Sequence, residues 1–487
     1  MRRVLISQFG LALIAAHIVC PATICHAEKK DLSAAIEARA EPTWQAALKI
    51  WEWAEPGYQE TQSSQLLADM LEKEGFTVER GVAGIPTAFT ATAGSGKPVI
   101  GILGEYDALP GLSQNATPEQ SPRTPGGYGQ GCGHHLFGSA SAAAAIVVAE
   151  QLKKDKLSGT VRFYGCPAEE GGNGKVYMVR DGLFKDCDVV LHWHPGSGNA
   201  AGDATCLACI NVKFRFHGKS AHAAGAPEQG RSALDAVELT NYAAELLREH
   251  TPDLTRIHHV ITAGGQAPNV VPDFAEVFYY VRHPSADVAR SVYARLLKCA
   301  EAGALATETK LEIGHVGGSV EVLPNGALTK VTLANFRELN DLSFTPEEKL
   351  FCTRIASSLT KPASLENLKE VLDKTGEVTK GSTDVGDVSW VVPTTGFRAL
   401  CWAPGTPAHS WQATAAGGTT IGRKGMLLAA KVLAATAYDL YTKPEVIAAA
   451  KAEHKERVGK TGYKSLIDPD RKPPLDYRKA PVQSAAQ

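Results

Sequence analysis

The stretch Gly129-Gln130-Gly131-Cys132-Gly133-His134-His135-Leu136 joins a predicted strand at 98–103 to an alanine-rich predicted helix at 139–148. A strand, a glycine-rich loop and a helix in this order are typical of an α/β fold. The Cys132 thiolate and the His134 imidazole can face one point in space, and sulfur and nitrogen are ligands that zinc-class metals take. The stretch therefore indicates an α/β domain with a candidate metal site, although a buried cysteine in such a turn is often only a packing residue.

A pair of carboxylates follows the next clear strand. Residues 160–164 alternate as a strand, and Glu169 and Glu170 come shortly after them. Adjacent carboxylates repel each other, so such a pair needs positive charge nearby or full solvation. A metal centre would meet this requirement, with one carboxylate as ligand and the other free as a general base. The alternative is a solvated acidic turn.

Histidines occupy two further strand ends and turns. The apolar strand at 188–191 ends in His192 and His194, and the turn at 404–411 carries His409. A lone histidine is more often a core or surface residue than a ligand. Four such segments, all at loops or strand ends, together favour a metal centre over separate structural roles.

These motifs together resemble the two-metal amidohydrolases and metallocarboxypeptidases, a family that includes aminoacylases, auxin-conjugate hydrolases and glutamate carboxypeptidases. The resemblance rests on Cys-Gly-His, Glu-Glu-Gly-Gly, strand-His-Pro and a late Pro-x-His, and it extends from about residue 34 to about residue 440. Four further segments carry it, at 103–114, 218–224, 268–272 and 382–390.

The resemblance implies two divalent metal ions per subunit, zinc or manganese, and a ligand set in which Cys132 binds or bridges both ions. The implied ligands are Cys132, His134, Glu170, His194 and His409. Glu169 would then be the general base that takes a proton from the attacking water and passes it to the leaving nitrogen.

Three more residues receive roles from the resemblance. His222 would reach the active site of a neighbouring subunit and help to stabilise the oxyanion. Asn269 and Arg282 would contact the oxyanion and the carboxylate of the substrate, a group that a guanidinium binds better than an ammonium does.

The chain departs from the family pattern at two places. His135 follows His134, where the auxin-hydrolase branch has an aspartate. His192 is an additional histidine, so the choice of His194 as ligand rests on its register immediately before Pro195. The identity of the histidine ligand on this strand is therefore open between the two, with His194 preferred.

The implied activity is hydrolysis of the amide bond of an N-acyl or N-aroyl amino acid, with p-aminobenzoyl-glutamate as a candidate substrate. A metallo-dipeptidase or carboxypeptidase would use the same metal centre. A non-catalytic binding subunit would keep the fold and lose the chemistry. The complete ligand set, with Glu169 present, argues against this last alternative.

The order of predicted elements divides the mature chain into two domains and a tail. Alternating helices and strands predict an α/β catalytic domain with a central sheet and helices on both faces, formed by 28–207 and 322–442. Between them, 208–321 follow a β-α-β-β-α-β order, which predicts an inserted ferredoxin-like α+β dimerisation or lid domain. One long helix is predicted at 32–53. The tail at 443–487 is predicted to be irregular or partly docked.

Composition excludes some classes of partner. The chain has 487 residues, 44% hydrophobic and 21% charged, as expected for a globular protein of two domains. The net charge of -2 does not indicate binding to nucleic acid or to an anionic membrane, which would favour an excess of positive charge. The predicted partners are a small-molecule substrate, a second copy in a homodimer and, by resemblance, a homologous partner subunit.

The first residues predict export. Met1-Arg2-Arg3 is basic, 4–19 are mostly apolar and Ala27 precedes a charged stretch, as in a secretory signal peptide spanning 1–27. We therefore expect an exported protein, in a bacterial periplasm, with no membrane contact after cleavage. An uncleaved anchor is the alternative, although the apolar run is short and broken for a span.

Cysteine usage does not fit a full set of disulfides. Two of the ten cysteines lie in the predicted signal peptide, and assigning Cys132 to metal leaves seven, an odd number. Cys206 and Cys209 form a C-x-x-C pair that could be a second metal or redox site, but their apolar, β-rich surroundings favour ordinary strand residues.

Overall fold

The structure, a computed structural model, describes residues 21–460 and 462–478. Residues 1–20, which hold most of the predicted signal peptide, lie outside this part. The strands within it are β1 (Thr77–Arg80), β2 (Phe89–Ser95), β3 (Val99–Glu105), β4 (Gly159–Cys166), β5 (Val189–Gly196), β6 (Asn199–Ala201), β7 (Ala208–His217), β8 (Arg256–Ala263), β9 (Phe274–His283), β10 (Lys310–Ser319), β11 (Val371–Asp373) and β12 (Thr394–Leu400).

Helices separate most of these strands, as the sequence predicts for an α/β chain. They are α1 (Pro21–Ala38), α2 (Ala40–Trp53), α3 (Thr61–Lys73), α4 (His134–Asp155), α5 (Gly174–Arg180), α6 (Ala233–Arg248), α7 (Ala286–Thr307), α8 (Gly326–Leu339), α9 (Pro346–Ala356), α10 (Val385–Val391), α11 (Trp411–Gly417), α12 (Thr420–Thr442) and α13 (Pro444–Val458). Short 3₁₀ turns lie at Val82–Gly84 and Pro227–Gln229.

The larger sheet sets the position of the functional site. Its strand order is β1-β2-β4-β3-β5-β12-β6-β11, and the neighbouring strands β4, β3, β5 and β12 run parallel. The carboxyl ends of parallel strands meet at one edge of a sheet, where open α/β folds bind their ligands. The segments that carry the predicted ligands leave the sheet at this edge.

Helix α4 is the central helix of the larger core. It packs on β3, β4, β5 and α12, and all residues of β3 are buried, as is typical of parallel strands. Within the described residues, α4 is long and apolar enough to cross a membrane, but 89% of its apolar window is buried inside the protein. Gly138 allows the close packing, because a Cβ there would lie 2.6 Å from the Glu105 carbonyl oxygen.

The smaller sheet has the strand order β10-β7-β9-β8 and is antiparallel throughout. With α6 and α7 packed on it, the chain order is β-α-β-β-α-β, so the predicted ferredoxin-like fold is confirmed. The alternating apolar residues of β7 and β9, among them Phe214 and Tyr279, are buried in a core of their own. Strand β8 forms one edge of this sheet.

One local prediction needs correction, and one is narrowed between its alternatives. The helix predicted at 32–53 is two helices, α1 and α2, which break at Arg39 (φ -99°, ψ 5°). No glycine or proline marks this break, and the Arg39 guanidinium pairs there with Glu74 and Glu150. In the tail, α13 packs on α8 and α12 and buries Ile447, which agrees with the alternative of partial docking.

Candidate active site

A cavity of about 830 Å³ opens at the carboxyl edge of the larger sheet, and residues of both sheets line it. The four catalytic-domain segments singled out in the sequence all contribute to its wall. The predicted ligands and base in this wall are Cys132, Glu169, Glu170, His194 and His409. His134 is fully buried behind Cys132.

The five predicted metal ligands form two groups that share one cysteine. The donor atoms of Cys132, His134 and His194 lie within 4.8 Å of one another, and so do those of Cys132, Glu170 and His409. Residues that are far apart in sequence thus converge on the Cys132 sulfur. This arrangement offers two neighbouring sites with a thiolate between them.

The glycine-rich loop holds Cys132 in place by close contacts. Gly133 has a left-handed backbone (φ +78°), and a Cβ there would lie 2.8 Å from Pro195. The His409 N–H donates a hydrogen bond to the Gly131 carbonyl oxygen at 2.9 Å. His409 itself has a left-handed backbone (φ +58°), a conformation that costs energy for a residue with a side chain and is common at functional sites.

Two of the histidines are oriented as metal ligands require. The Nδ1–H of His134 donates to the Asp107 carboxylate at 2.8 Å, and the Nδ1–H of His194 donates to the Pro195 carbonyl oxygen at 2.7 Å. Because these oxygens are acceptors, each ring keeps its Nε2 lone pair for another partner. His194 Nε2 lies 3.4 Å from the Cys132 sulfur. The donor set therefore fits a zinc-class cation.

The electrostatic surroundings of His134 also fit a cation. Burial opposes protonation of this imidazole, but the negative charges of Cys132, Asp107 and Glu105 raise its pKa well above the usual value. The field that favours a proton on the ring would favour a metal ion beside it in the same way.

The turn after β4 presents the two glutamates. Ala168 has a left-handed backbone (φ +55°), and its N–H donates to the buried Glu60 carboxylate at 2.8 Å. The Glu170 N–H donates to Asp107 at 2.9 Å. Asp107 thus links the Glu170 backbone to the His134 ring, so one carboxylate positions two predicted ligands.

The two glutamates have opposite electrostatic properties. Burial, together with the charges of Glu105 and Glu170, raises the pKa of Glu169 well above its usual value. Burial also opposes ionisation of Glu170, but the hydrogen bond and charge of His409 outweigh it and lower the pKa of Glu170 to about 2. A carboxylate that stays ionised suits a ligand, and one of raised pKa suits a general base.

A buried network of ion pairs lies behind the site, and it was not predicted from the sequence. Lys175 Nζ lies 2.6 Å from both Glu105 Oε1 and Asp384 Oδ1, and all three side chains are at most 1% exposed. Glu105 Oε2 lies 3.1 Å from His134 Nε2. Glu105 and Asp384 lie in two of the segments on which the family resemblance rests, but no individual role was predicted for either. Lys175 belongs to none of the motifs recognised in the sequence.

The structure separates the two histidines of β5. His194 contacts Cys132, whereas the His192 ring lies against Gly396 of the neighbouring strand, where a Cβ would come within 2.2 Å of its Nε2. Both imidazoles line the cavity and burial lowers the pKa of both, that of His192 to about 3, so the contact with Cys132 is what distinguishes His194. The unusual His135 contacts the Gly417 carbonyl oxygen at 3.1 Å and not the ligand groups.

The remaining predicted residues do not all reach the cavity. Arg282 lines it and stacks over Tyr280 at 5.2 Å. His222 is exposed, and its Nδ1 accepts the N–H groups of the following turn, from Ala224 and Gly225. Asn269 is also exposed, beside His222. Neither side chain lines the cavity of its own chain.

Cys206 and Cys209 line the cavity at the start of the smaller sheet, where Cys209 belongs to β7. Neither forms a disulfide within the described residues. Burial raises the pKa of Cys209 to about 11, as expected for an inert structural thiol.

Comparison with known proteins identifies the class. Residues 101–435 match Peptidase family M20/M25/M40. The chain is 41% identical over 450 residues to one of the two named subunits of p-aminobenzoyl-glutamate hydrolase from Escherichia coli (strain K12), a match that covers 87% of this chain and 94% of the relative. It is 30% identical over 452 residues to Xaa-Arg dipeptidase of Homo sapiens, a match that covers 89% of this chain and 93% of the relative. The solved aminobenzoyl-glutamate utilization protein of Klebsiella pneumoniae has a TM-score of 0.60 at 19% identity, covering 85% of this chain and 99% of that one.

The chain is a metal-dependent hydrolase that acts on amide bonds. It belongs to Peptidase family M20/M25/M40. The resemblance read from the motifs, the fold class and the hydrolase activity are thereby confirmed, and the non-catalytic alternative is set aside.

Asp107→Asn should weaken metal binding without unfolding the protein. The amide cannot hold the His134 Nδ1–H and the Glu170 N–H as a carboxylate does, and loss of such a partner lowers metal affinity by about 10- to 100-fold. Competition with a chelator measures the change. Asp188→Asn is the control, because this carboxylate caps β3 at the other edge of the sheet. Equal metal affinity in Asp107→Asn and the wild type would contradict the role.

Proposed function

We propose that this chain hydrolyses N-acyl or N-aroyl amino acids, p-aminobenzoyl-glutamate among them. The convergence of two donor groups on Cys132, with Glu169 beside them in the cavity, is the observation that carries the proposal. The name of the Escherichia coli relative supports the substrate class. That relative is named as one subunit of a hydrolase with two, so a homologous partner subunit is part of the proposal as well.

We infer two divalent ions per subunit, zinc or manganese, with Cys132 shared between them. His134 and His194 would complete one site, and Glu170 and His409 the other. Bound there, the metals would lower the pKa of water and polarise the scissile carbonyl. Mixed sulfur, nitrogen and oxygen donors suit zinc, and manganese is the alternative.

Glu169 is the proposed general base. Its carboxylate oxygen lies within 4.8 Å of donor atoms of Glu105 and His134, and it takes part in neither group that contains Cys132. A carboxylate beside the metal ligands but outside their two sets can take the proton of the attacking water and then pass it to the leaving nitrogen.

Dipeptide hydrolysis is the second candidate function, because the human relative is named a dipeptidase. The same centre would serve it, but the substrate would bring a free N-terminal amine. A panel of N-acyl amino acids and matching dipeptides separates the two candidates by their kcat/KM values.

Glu169→Gln should keep the metals and the fold and reduce kcat by about 10²- to 10⁴-fold. Glu170→Gln is its matched partner and should lose metal occupancy, because it removes a charged ligand. Metal content and turnover of an N-aroyl amino acid are measured on both variants. If their metal contents are reversed, the two roles are exchanged. Near-normal turnover of Glu169→Gln would remove it as the base.

A homodimer through the smaller sheet is also proposed. The outer face of α6 exposes Leu239, Tyr242 and Leu246, spaced as one side of a helix, and the edge strand β8 exposes Val260 and Ile261. Exposed apolar side chains and an open edge strand favour pairing with a second copy. His222 is exposed outside the cavity of its own chain, so a role in catalysis requires the neighbouring subunit.

Co-expression of Glu169→Gln and His222→Ala chains should restore activity that neither variant has alone. Half of the dimers would be mixed, each with one intact site, so the recovery should approach about a quarter of wild-type activity. His217→Ala, at another exposed histidine of the inserted domain, is the control and should remain active. An active monomer, or no recovery, would refute the shared site.

Export to a bacterial periplasm is proposed from the basic start, the apolar run and Ala27. Mass spectrometry of the native protein should find an N-terminus near Glu28. An intact Met1 on the purified native protein would refute cleavage.

A further inference from the structure

The end of the chain returns to the active-site cavity. Tyr477 Oη and Arg478 Nη2 both donate hydrogen bonds to the Glu170 carbonyl oxygen, at 2.9 and 2.5 Å. The Tyr477 ring packs edge-on against Tyr58, with centroids 5.7 Å apart, and Arg478 lines the cavity. This segment lies beyond residues 101–435, which match the family.

The guanidinium of Arg478 has an N–H donor that makes no hydrogen bond within the described residues. Its Nε is buried and has no hydrogen-bond partner, and in residues 29–460 and 462–478 no carboxylate forms an ion pair with it. Its guanidinium instead stacks over the Tyr477 ring at 4.9 Å. A largely buried guanidinium without a carboxylate is unfavourable, so an anion entering the cavity would be bound there.

Arg282 is a second arginine on the cavity wall whose guanidinium has no carboxylate partner within the described residues. Its Nε is also buried without a partner, and its Nη1 reaches the Ser382 hydroxyl, at 3.4 Å. Tyr280 lines the cavity together with both arginines, and the Arg282 guanidinium stacks over its ring at 5.2 Å. Burial raises the pKa of the Tyr280 phenol, and the charges of Arg478 and Arg282 both oppose that rise. Two positive charges without a carboxylate partner in the described part of the chain therefore face the cavity close to one phenol.

We propose that Arg478 binds the side-chain carboxylate of the amino acid that the enzyme releases, while Arg282 binds its α-carboxylate. The substrate class is then N-acyl derivatives of dicarboxylic amino acids. The proposal rests on the proposed function for the reaction, and it makes Arg478 a specificity-determining residue. A purely structural role, in which Arg478 only holds the Glu170 carbonyl, predicts no dependence on the second carboxylate.

Binding measurements on the metal-loaded Glu169→Gln protein separate these roles without turnover. N-benzoyl-L-glutamate and N-benzoyl-L-glutamine differ only in the second carboxylate, and calorimetry gives the Kd of each. Arg478→Gln keeps an amide donor for the Glu170 carbonyl and removes the charge. It should weaken binding of the glutamate compound by about 10- to 100-fold, the range for a hydrogen bond between charged groups, and change the glutamine compound less than about threefold.

Arg471→Ala is the control for the tail, because the hydrogen bonds of this arginine are made by its backbone: its N–H donates to the Asp468 carbonyl oxygen, and its own carbonyl oxygen accepts from Arg180. It should change neither Kd. Equal weakening of both compounds by Arg478→Gln, no weakening of either, loss of metal, or no binding by the parent variant would overturn the proposal. Failure of the wild type to hydrolyse either compound would refute the proposed function separately, since the two Kd values do not depend on turnover.

Discussion

The active site depends on the neutralisation of buried carboxylates at one edge of the larger sheet. Glu105 and Asp107 are buried at this edge and Glu169 and Glu170 are half-buried beside them, and like charges in such a site repel strongly. Lys175 is the buried cation that pairs with Glu105 on this side, and the metals would neutralise the ligand side. Bound metals would therefore relieve the charge repulsion at this edge, as expected where ligands are held by carboxylates that themselves need partners.

The parallel strands explain why such distant residues meet. The candidate ligands and base lie at or just beyond the carboxyl ends of β3, β4, β5 and β12, and α4 begins at the same edge with His134. The close contact of Gly138 with the Glu105 carbonyl holds the start of α4 against β3. The second sheet and the C-terminal tail contribute Arg282 and Arg478 to the wall of the cavity. The candidate metal ligands and the two arginines proposed to bind substrate thus come from separate parts of the fold.

Sequence reasoning predicted the α/β order and the second sheet, because periodicity and strand-end motifs are local signals, whereas the set of ligands around Cys132 was implied by the family resemblance. It could not choose between His192 and His194 on physical grounds, since alternate residues of a strand share a face; the contact of His194 with Cys132 separates them. Lys175 and Arg478 were missed because their partners are brought near only by the tertiary fold. The break at Arg39 carried no glycine or proline to mark it.

The proposed active site requires the Cys132 sulfur to be a metal ligand. X-ray absorption on zinc-reconstituted protein tests this directly. The spectrum should require a sulfur scatterer at about 2.3 Å from the metal, together with nitrogen and oxygen. In Cys132→Ser this scatterer should disappear while the fold persists by circular dichroism. A wild-type spectrum fitted by nitrogen and oxygen alone, or one that Cys132→Ser leaves unchanged, would contradict the account.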